Sequence, residues 1–283
     1  MHDLNLCDYG QMQALLKQQG FHFSKSKGQN FLIQNWVPER IADAAGLDEN
    51  TLAVEIGPGV GCLTEQLALR AADVLAFEVD EDLIPVLGIT MQPYANVQVR
   101  LQDAMRVDLA QTVQQDYPGR RAVLCANLPY NITTPVLTHI YRSRCFETVT
   151  VMVQKEVAQR MCAGPGSKDY GAFSLLTQWY GEPEMLFTVG PECFMPRPKV
   201  TSAVVQITMR DTPPVQADEK ELFRIIRAAF NMRRKTLVNA LEGVCGKETV
   251  RQALVSCGLS ETVRGEALTL AQFAALAESI YKK

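Results

Sequence analysis

Between residues 50 and 155, apolar runs of strand length alternate with stretches of helical spacing. The runs TLAVEI (51–56), DVLAFEV (73–79), NVQVRLQ (96–102), AVLCAN (122–127) and TVTVMV (148–153) predict strands. Between the first two, CLTEQLALR carries Leu63 and Leu67 one helical turn apart. Alternation of this kind predicts a mostly parallel, doubly wound α/β sheet, and near-continuous apolar strands fit burial on both faces. EMLFTV (184–189) and SAVVQITM (202–209) predict two more strands with no obvious helix between them, an antiparallel pair closing one sheet edge. The polar, proline-interrupted stretch RDTPPVQADEK (210–220) reads as a connector, and beyond it the strand pattern stops. There Leu222, Ile226 and Phe230 share one helical face, as do Leu270, Phe273, Ala277 and Ile280, with Thr269 and Gln272 spaced as a capping box. The pattern thus predicts an α/β domain at 1–210 and a small all-helical domain at 211–283.

Composition narrows the class. Of the 283 residues, 47% are hydrophobic and 21% charged, ordinary for a globular enzyme. No apolar run approaches the roughly 18 residues of a membrane span, and the first residues lack a secretory layout, so no membrane is expected. The 8 cysteines form no CxxC pair and do not cluster with the 3 histidines. That argues against a metal site and for free thiols in a reducing cytoplasm. Histidine-centred catalysis is also disfavoured. The net charge of −3 means that any site for a polyanion must be a local patch.

Candidate chemistry gathers at the strand ends. VEIGPGVG ends one strand and opens a helix, with glycines at 57, 59 and 61. Glycine lets backbone approach a ligand closely, and the helix start offers free N–H groups. Alone this is a weak signal, equally a tight turn, and its spacing differs from the dinucleotide fingerprint. Glu78, Asp103 and Asn127 then follow at intervals of about one βα unit, each ending a predicted strand. In open α/β sheets ligands bind at those carboxyl ends, where a residue such as Glu78 can accept both hydroxyls of a ribose. A nucleoside cofactor is implied, either a nicotinamide dinucleotide or S-adenosylmethionine.

The fourth strand ends in Asn127-Leu128-Pro129-Tyr130, which suits amine methylation. An exocyclic base amine is a poor nucleophile because its lone pair is delocalised into the ring. The amide oxygen of Asn127 and the carbonyl of Leu128 could accept its two hydrogens and favour tetrahedral geometry. Pro129 would stiffen the turn and Tyr130 would stack on the base. Orientation and placed dipoles supply the gain, and no strong base is needed before attack.

On these residues the chain resembles the ribosomal RNA adenine dimethyltransferases, Rossmann-like methyltransferases that modify two adjacent adenosines near the 3′ end of small-subunit RNA. KSKGQNFL (25–32) is similar to the family's cofactor-covering segment and VEIGPGVGCLT to its glycine loop. FEVD, QDAM and NLPYNITTP are similar to its ribose, adenine and catalytic turns, and CFMPRPKVTSAVV (193–205) to its Phe-x-Pro-x-Pro-x-Val-x-Ser element. The resemblance implies S-adenosylmethionine as cofactor, covered by the segment 1–48 and held by Asn30, Leu32, Gly57, Gly59, Glu78, Asp103, Ala104 and Asn127. It also implies catalysis at Asn127, Leu128, Pro129 and Tyr130, with Phe194 stacking on the other face of an extruded base.

Basic residues suggest where RNA would bind. No acidic residue falls between Leu222 and Leu241, a stretch holding Arg224, Arg227, Arg233, Arg234 and Lys235. Arg224, Arg227 and Arg234 could share a face opposite Leu222 and Ile226. Lys25 and Lys27 flank the covering segment, and Arg197 and Lys199 flank Phe194, which would complete a basic rim. Such contacts fix position rather than sequence. The expected partner is small-subunit RNA in a pre-30S-type particle, met by a cytoplasmic monomer. Two alternatives remain open from sequence: a macrolide-resistance type large-subunit adenine methyltransferase, and a non-catalytic RNA-binding assembly or transcription factor on the same fold.

Overall fold

A computed structural model describes residues 4–21 and 29–281. Lys25 and Lys27 lie outside them. The strands are β1 (Phe31–Leu32), β2 (Thr51–Ile56), β3 (Asp73–Glu78), β4 (Val97–Leu101), β5 (Arg121–Asn127), β6 (Thr148–Gln154), β7 (Gly181–Val189), β8 (Phe194–Met195) and β9 (Ser202–Met209). The helices up to the end of β6 are α1 (Tyr9–Gln18), α2 (Trp36–Ala44), α3 (Cys62–Ala68), α4 (Ile84–Thr90), α5 (Leu109–Asp116) and α6 (Thr133–Ser143). Next come α7 (Lys155–Cys162) and α8 (Ala172–Tyr180), then α9 (Glu219–Asn231), α10 (Leu237–Ala240), α11 (Glu242–Cys245), α12 (Lys247–Ser256) and α13 (Leu270–Tyr281).

The chain forms two compact units. The first holds residues 1–158 and 184–209, the second 159–183 and 210–283. A 7-stranded sheet of order β4-β3-β2-β5-β6-β9-β7 organises the first. β2 pairs in parallel with both β3 and β5, so the chain winds outward in both directions from that junction. Every residue of β2 is buried, as are the central five of β5, which is why these strands read as unbroken apolar runs. β9 runs antiparallel to β6, placing its first residue, Ser202, beside Gln154 at the carboxyl edge of the sheet. A separate pair, β1 with β8, joins Phe31 to Met195 and Leu32 to Phe194.

The second unit is larger than the helical domain predicted at 211–283, because it also takes in residues 159–183. Aromatic packing explains the difference. Trp179 of α8 meets Phe223 of α9 edge-on at 5.9 Å, and Tyr170 meets Phe230 at 5.8 Å. The Tyr180 hydroxyl donates to Glu219 at 2.7 Å. On α9, Leu222 and Ile226 are buried as their spacing requires, and the Thr269–Gln272 box caps α13 reciprocally.

Candidate active site

A cleft enclosing about 1060 Å³ of empty space, its open mouth included, lies at the carboxyl ends of β2, β3 and β5. It occupies the point where strand order reverses, as open α/β sheets dictate. Gly57 and Gly59 of the β2–α3 loop line it, both at positive φ (75° and 61°). A side chain at Gly59 would also press on the Phe31 ring, within 3.0 Å of an added Cβ. Glycine is therefore needed there both for its backbone angle and for the close approach of Phe31. Asn30 and Leu32, beside Phe31 in sequence, line the cleft, and the Gln29 amide donates to the Asp80 carboxylate in the turn after β3.

Glu78, Asp103 and Ala104 line one side. Glu78 is buried, and its Oε1 accepts the backbone N–H groups of Val79 and Asp80 at 2.7 and 2.8 Å. Burial raises its pKa, and those donors partly offset the effect. Asp103 accepts the Met105 N–H at 2.9 Å and faces Arg106 at 3.6 Å. Sequence reasoning missed a further carboxyl, Glu55 of β2, which lines the cleft and is 1% exposed. Burial pushes its pKa up to about 8. Glu55 Oε2 and Thr64 Oγ1 both lack a hydrogen-bond partner. A lone carboxylate inside the apolar run AVEI was the signal available.

Asn127, Leu128, Pro129 and Tyr130 form the opposite wall. The Asn127 amide nitrogen donates to the Asn30 carbonyl at 3.1 Å, which turns its oxygen the other way. The turn is pinned twice through its backbone: Leu128 N–H donates to Met152 O at 3.1 Å, and the Thr133 hydroxyl donates to Pro129 O at 3.1 Å. The Tyr130 hydroxyl lies 2.6 Å from Ser202 Oγ.

Phe194 behaves differently from its sequence companions. It is 2% exposed, packed in the core beside Leu32, and is not among the residues lining the cleft. Arg197 and Lys199, just beyond it, are exposed. In the second unit Arg224 and Arg227 are exposed on α9, opposite its buried face. That helix ends at Asn231, so Arg234 and Lys235, also exposed, lie in the following turn rather than on the helical face foreseen for Arg234. Arg233 is not an uncompensated cation: it pairs with Glu266 at 2.7 Å and donates to Ser167 O at 3.0 Å. Its partner comes from beyond the acid-free window, so inspection of that window could not supply it.

Known proteins resemble the chain over nearly its whole length. A protein of Lachnoclostridium phytofermentans named ribosomal RNA small subunit methyltransferase A is 45% identical, with 98% of each chain covered. A protein of the same name from Streptococcus pneumoniae is 44% identical, again with 98% of each covered. Among solved structures, a dimethyladenosine transferase from Plasmodium falciparum superposes with a TM-score of 0.71 at 22% identity, covering 87% of this chain and 95% of that one. The 23S rRNA methyltransferase ErmE gives 0.69 at 24% identity, covering 89% and 99%. At such identities the two structures speak for the Rossmann-like fold alone. A family model described as ribosomal RNA adenine dimethylase matches residues 20–282, and the chain belongs to that family.

Proposed function

We infer that this chain transfers methyl groups from S-adenosylmethionine to the exocyclic amines of two adjacent adenosines near the 3′ end of small-subunit ribosomal RNA. The observation that carries the reading is the Asn127 amide, tied by its nitrogen to Asn30 so that its oxygen is left to accept from an incoming amine. The cleft fits the cofactor. The glycine loop opens onto it, with no room for a side chain at Gly59, and the orphaned Glu55 Oε2 suits a cationic group. When bound, the cofactor supplies an electrophilic methyl on a sulfonium. Glu78 would hold the ribose, Asp103 and Ala104 the adenine, and Asn30, Leu32, Gly57 and Gly59 the methionine portion.

The protein's contribution to the transfer is placement. The Asn127 oxygen and the Leu128 carbonyl accept the two amine hydrogens and draw the nitrogen toward tetrahedral geometry. Tyr130 offers its ring to the base, while burial raises the pKa of its phenol and keeps the hydroxyl protonated. Aligned dipoles of this kind act without reorganising during the reaction. Phe194, buried beside Leu32, supports the covering segment in this arrangement, and its stacking on the base requires the ring to turn outward. Arg197 and Lys199 in the first unit, with Arg224, Arg227, Arg234 and Lys235 in the second, hold the RNA phosphates. The substrate is a pre-30S-type particle, and the chain works as a cytoplasmic monomer.

The test is methyl transfer from labelled cofactor to unmethylated small and large subunits in parallel. Small subunits alone should be labelled, and Asn127→Ala should lower kcat by about 10²- to 10³-fold, as loss of one preorganised polar group does elsewhere. Labelling of large subunits only would overturn the substrate. An Asn127→Ala enzyme of full activity would overturn the mechanism.

A further inference from the structure

Ser202 belongs to no part of the cleft lining, yet it touches the catalytic turn. It is the first residue of β9, 0% exposed, and its hydroxyl sits 2.6 Å from that of Tyr130. Tyr130 follows β5, and β6 lies between β5 and β9 in the sheet. Asn127 pairs with Met152 of β6, and Ser202 pairs with Gln154 two residues further along the same strand. The tyrosine side chain therefore reaches across the carboxyl end of β6. It can do so because β9 alone among the partners of β5 and β6 runs antiparallel, bringing its start rather than its end to that edge.

The backbone of the turn is already fixed by Leu128 N–H on Met152 and by Thr133 on Pro129. What those bonds leave undetermined is the attitude of the Tyr130 ring, which is half-buried and set by two side-chain torsions. A hydroxyl mounted on a buried, ladder-bonded strand is a fixed point from which to set it. We propose that Ser202 is a positioning residue for methyl transfer, holding the Tyr130 ring across the end of β6 at the angle on which the target base stacks. The proposal rests on Tyr130 being the stacking face. It assigns the phenol hydroxyl to tethering rather than to proton transfer, in keeping with a phenol whose pKa burial raises. Preorganisation of this kind raises kcat without tightening cofactor binding.

The experiment compares Ser202→Ala, Tyr130→Phe, the double variant, Ser202→Thr and Tyr130→Ala in steady-state methylation of unmethylated small subunits. Ser202→Ala and Tyr130→Phe should each lower kcat by up to about tenfold, the scale of one net hydrogen bond, with the KM for cofactor unchanged. The double variant should be no slower than either single one, and Ser202→Thr, which keeps the hydroxyl, should recover most of the loss. Wild-type kcat in Ser202→Ala, or losses that multiply in the double variant, would overturn the tether. If thermal melts show Ser202→Ala unfolded, Tyr130→Phe decides alone, since it removes the same bond from the half-buried side; wild-type kcat there sinks the proposal. Failure of the stacking reading looks different: Tyr130→Ala itself would then keep wild-type activity.

Discussion

Glu55 is a carboxyl whose surroundings favour the neutral form. Its ordinary value of 4.5 is pushed up to about 8 by burial. A group whose pKa is higher folded than unfolded binds its proton preferentially in the fold. Its contribution is therefore fully present below pH 4.5 and is lost as pH rises toward 8. Glu55→Gln keeps the shape without the charge. The variant's melting temperature without cofactor should match the parent near pH 5 and exceed it near pH 8. Equal melting curves at both pH values would remove the buried-acid account. Cofactor binding at neutral pH should also expel a proton from Glu55 as a cationic group arrives. Calorimetry in buffers of differing ionisation enthalpy reads that proton directly.

Glu78, Asn127 and Tyr130 were legible as cleft-lining residues because they punctuate the ends of apolar runs, where polarity has no packing reason to be, and Asp103 because it follows Glu78 by about one βα unit. Glu55 was not, since it lies within such a run and a single acid there looks like noise. Ser202 is the last residue of the Phe-x-Pro-x-Pro-x-Val-x-Ser element, yet its contact with Tyr130 was hidden, because it spans a third strand and spacing in sequence carries no trace of that contact.

At the scale of elements, strands were read well and helices less evenly. The central strands β2, β3, β5 and β6 are buried and continuous, so local pattern and tertiary role coincide there. β1 and β8, two residues each, are shorter than any periodicity can register. The basic stretch shows the limit most clearly, because one of its arginines finds its acid some thirty positions away. Two kinds of variant separate these roles. Reversing charge at Arg224, Arg227 and Arg234 should weaken binding to small subunits and flatten its salt dependence by about one unit of log–log slope per lost phosphate contact, with the melting temperature kept. Arg233→Glu should instead lower the melting temperature, by placing like charge against Glu266. Filter binding across a salt series, with calorimetry alongside, distinguishes the two outcomes.

At the scale of the molecule, the second unit is discontinuous. The chain leaves the first unit after Ala158, returns at Glu184, and leaves again after Met209. Sequence pattern placed a boundary near 210 because composition changes there, but it gave no sign of the earlier excursion, whose helix α8 is itself apolar. A stop codon after residue 210 therefore does not liberate a catalytic half. It strands α8, with Trp179 and Tyr170 deprived of Phe223 and Phe230, as an uncovered apolar surface. That fragment should bind a hydrophobic dye and aggregate. A version that also replaces 159–183 with a short polar linker should stay dispersed, as sedimentation would show. The interleaved path makes the two units inseparable by simple trimming. Exchanging the second unit of this chain would mean moving residues 159–183 and 210–283 together, since neither segment carries the whole unit.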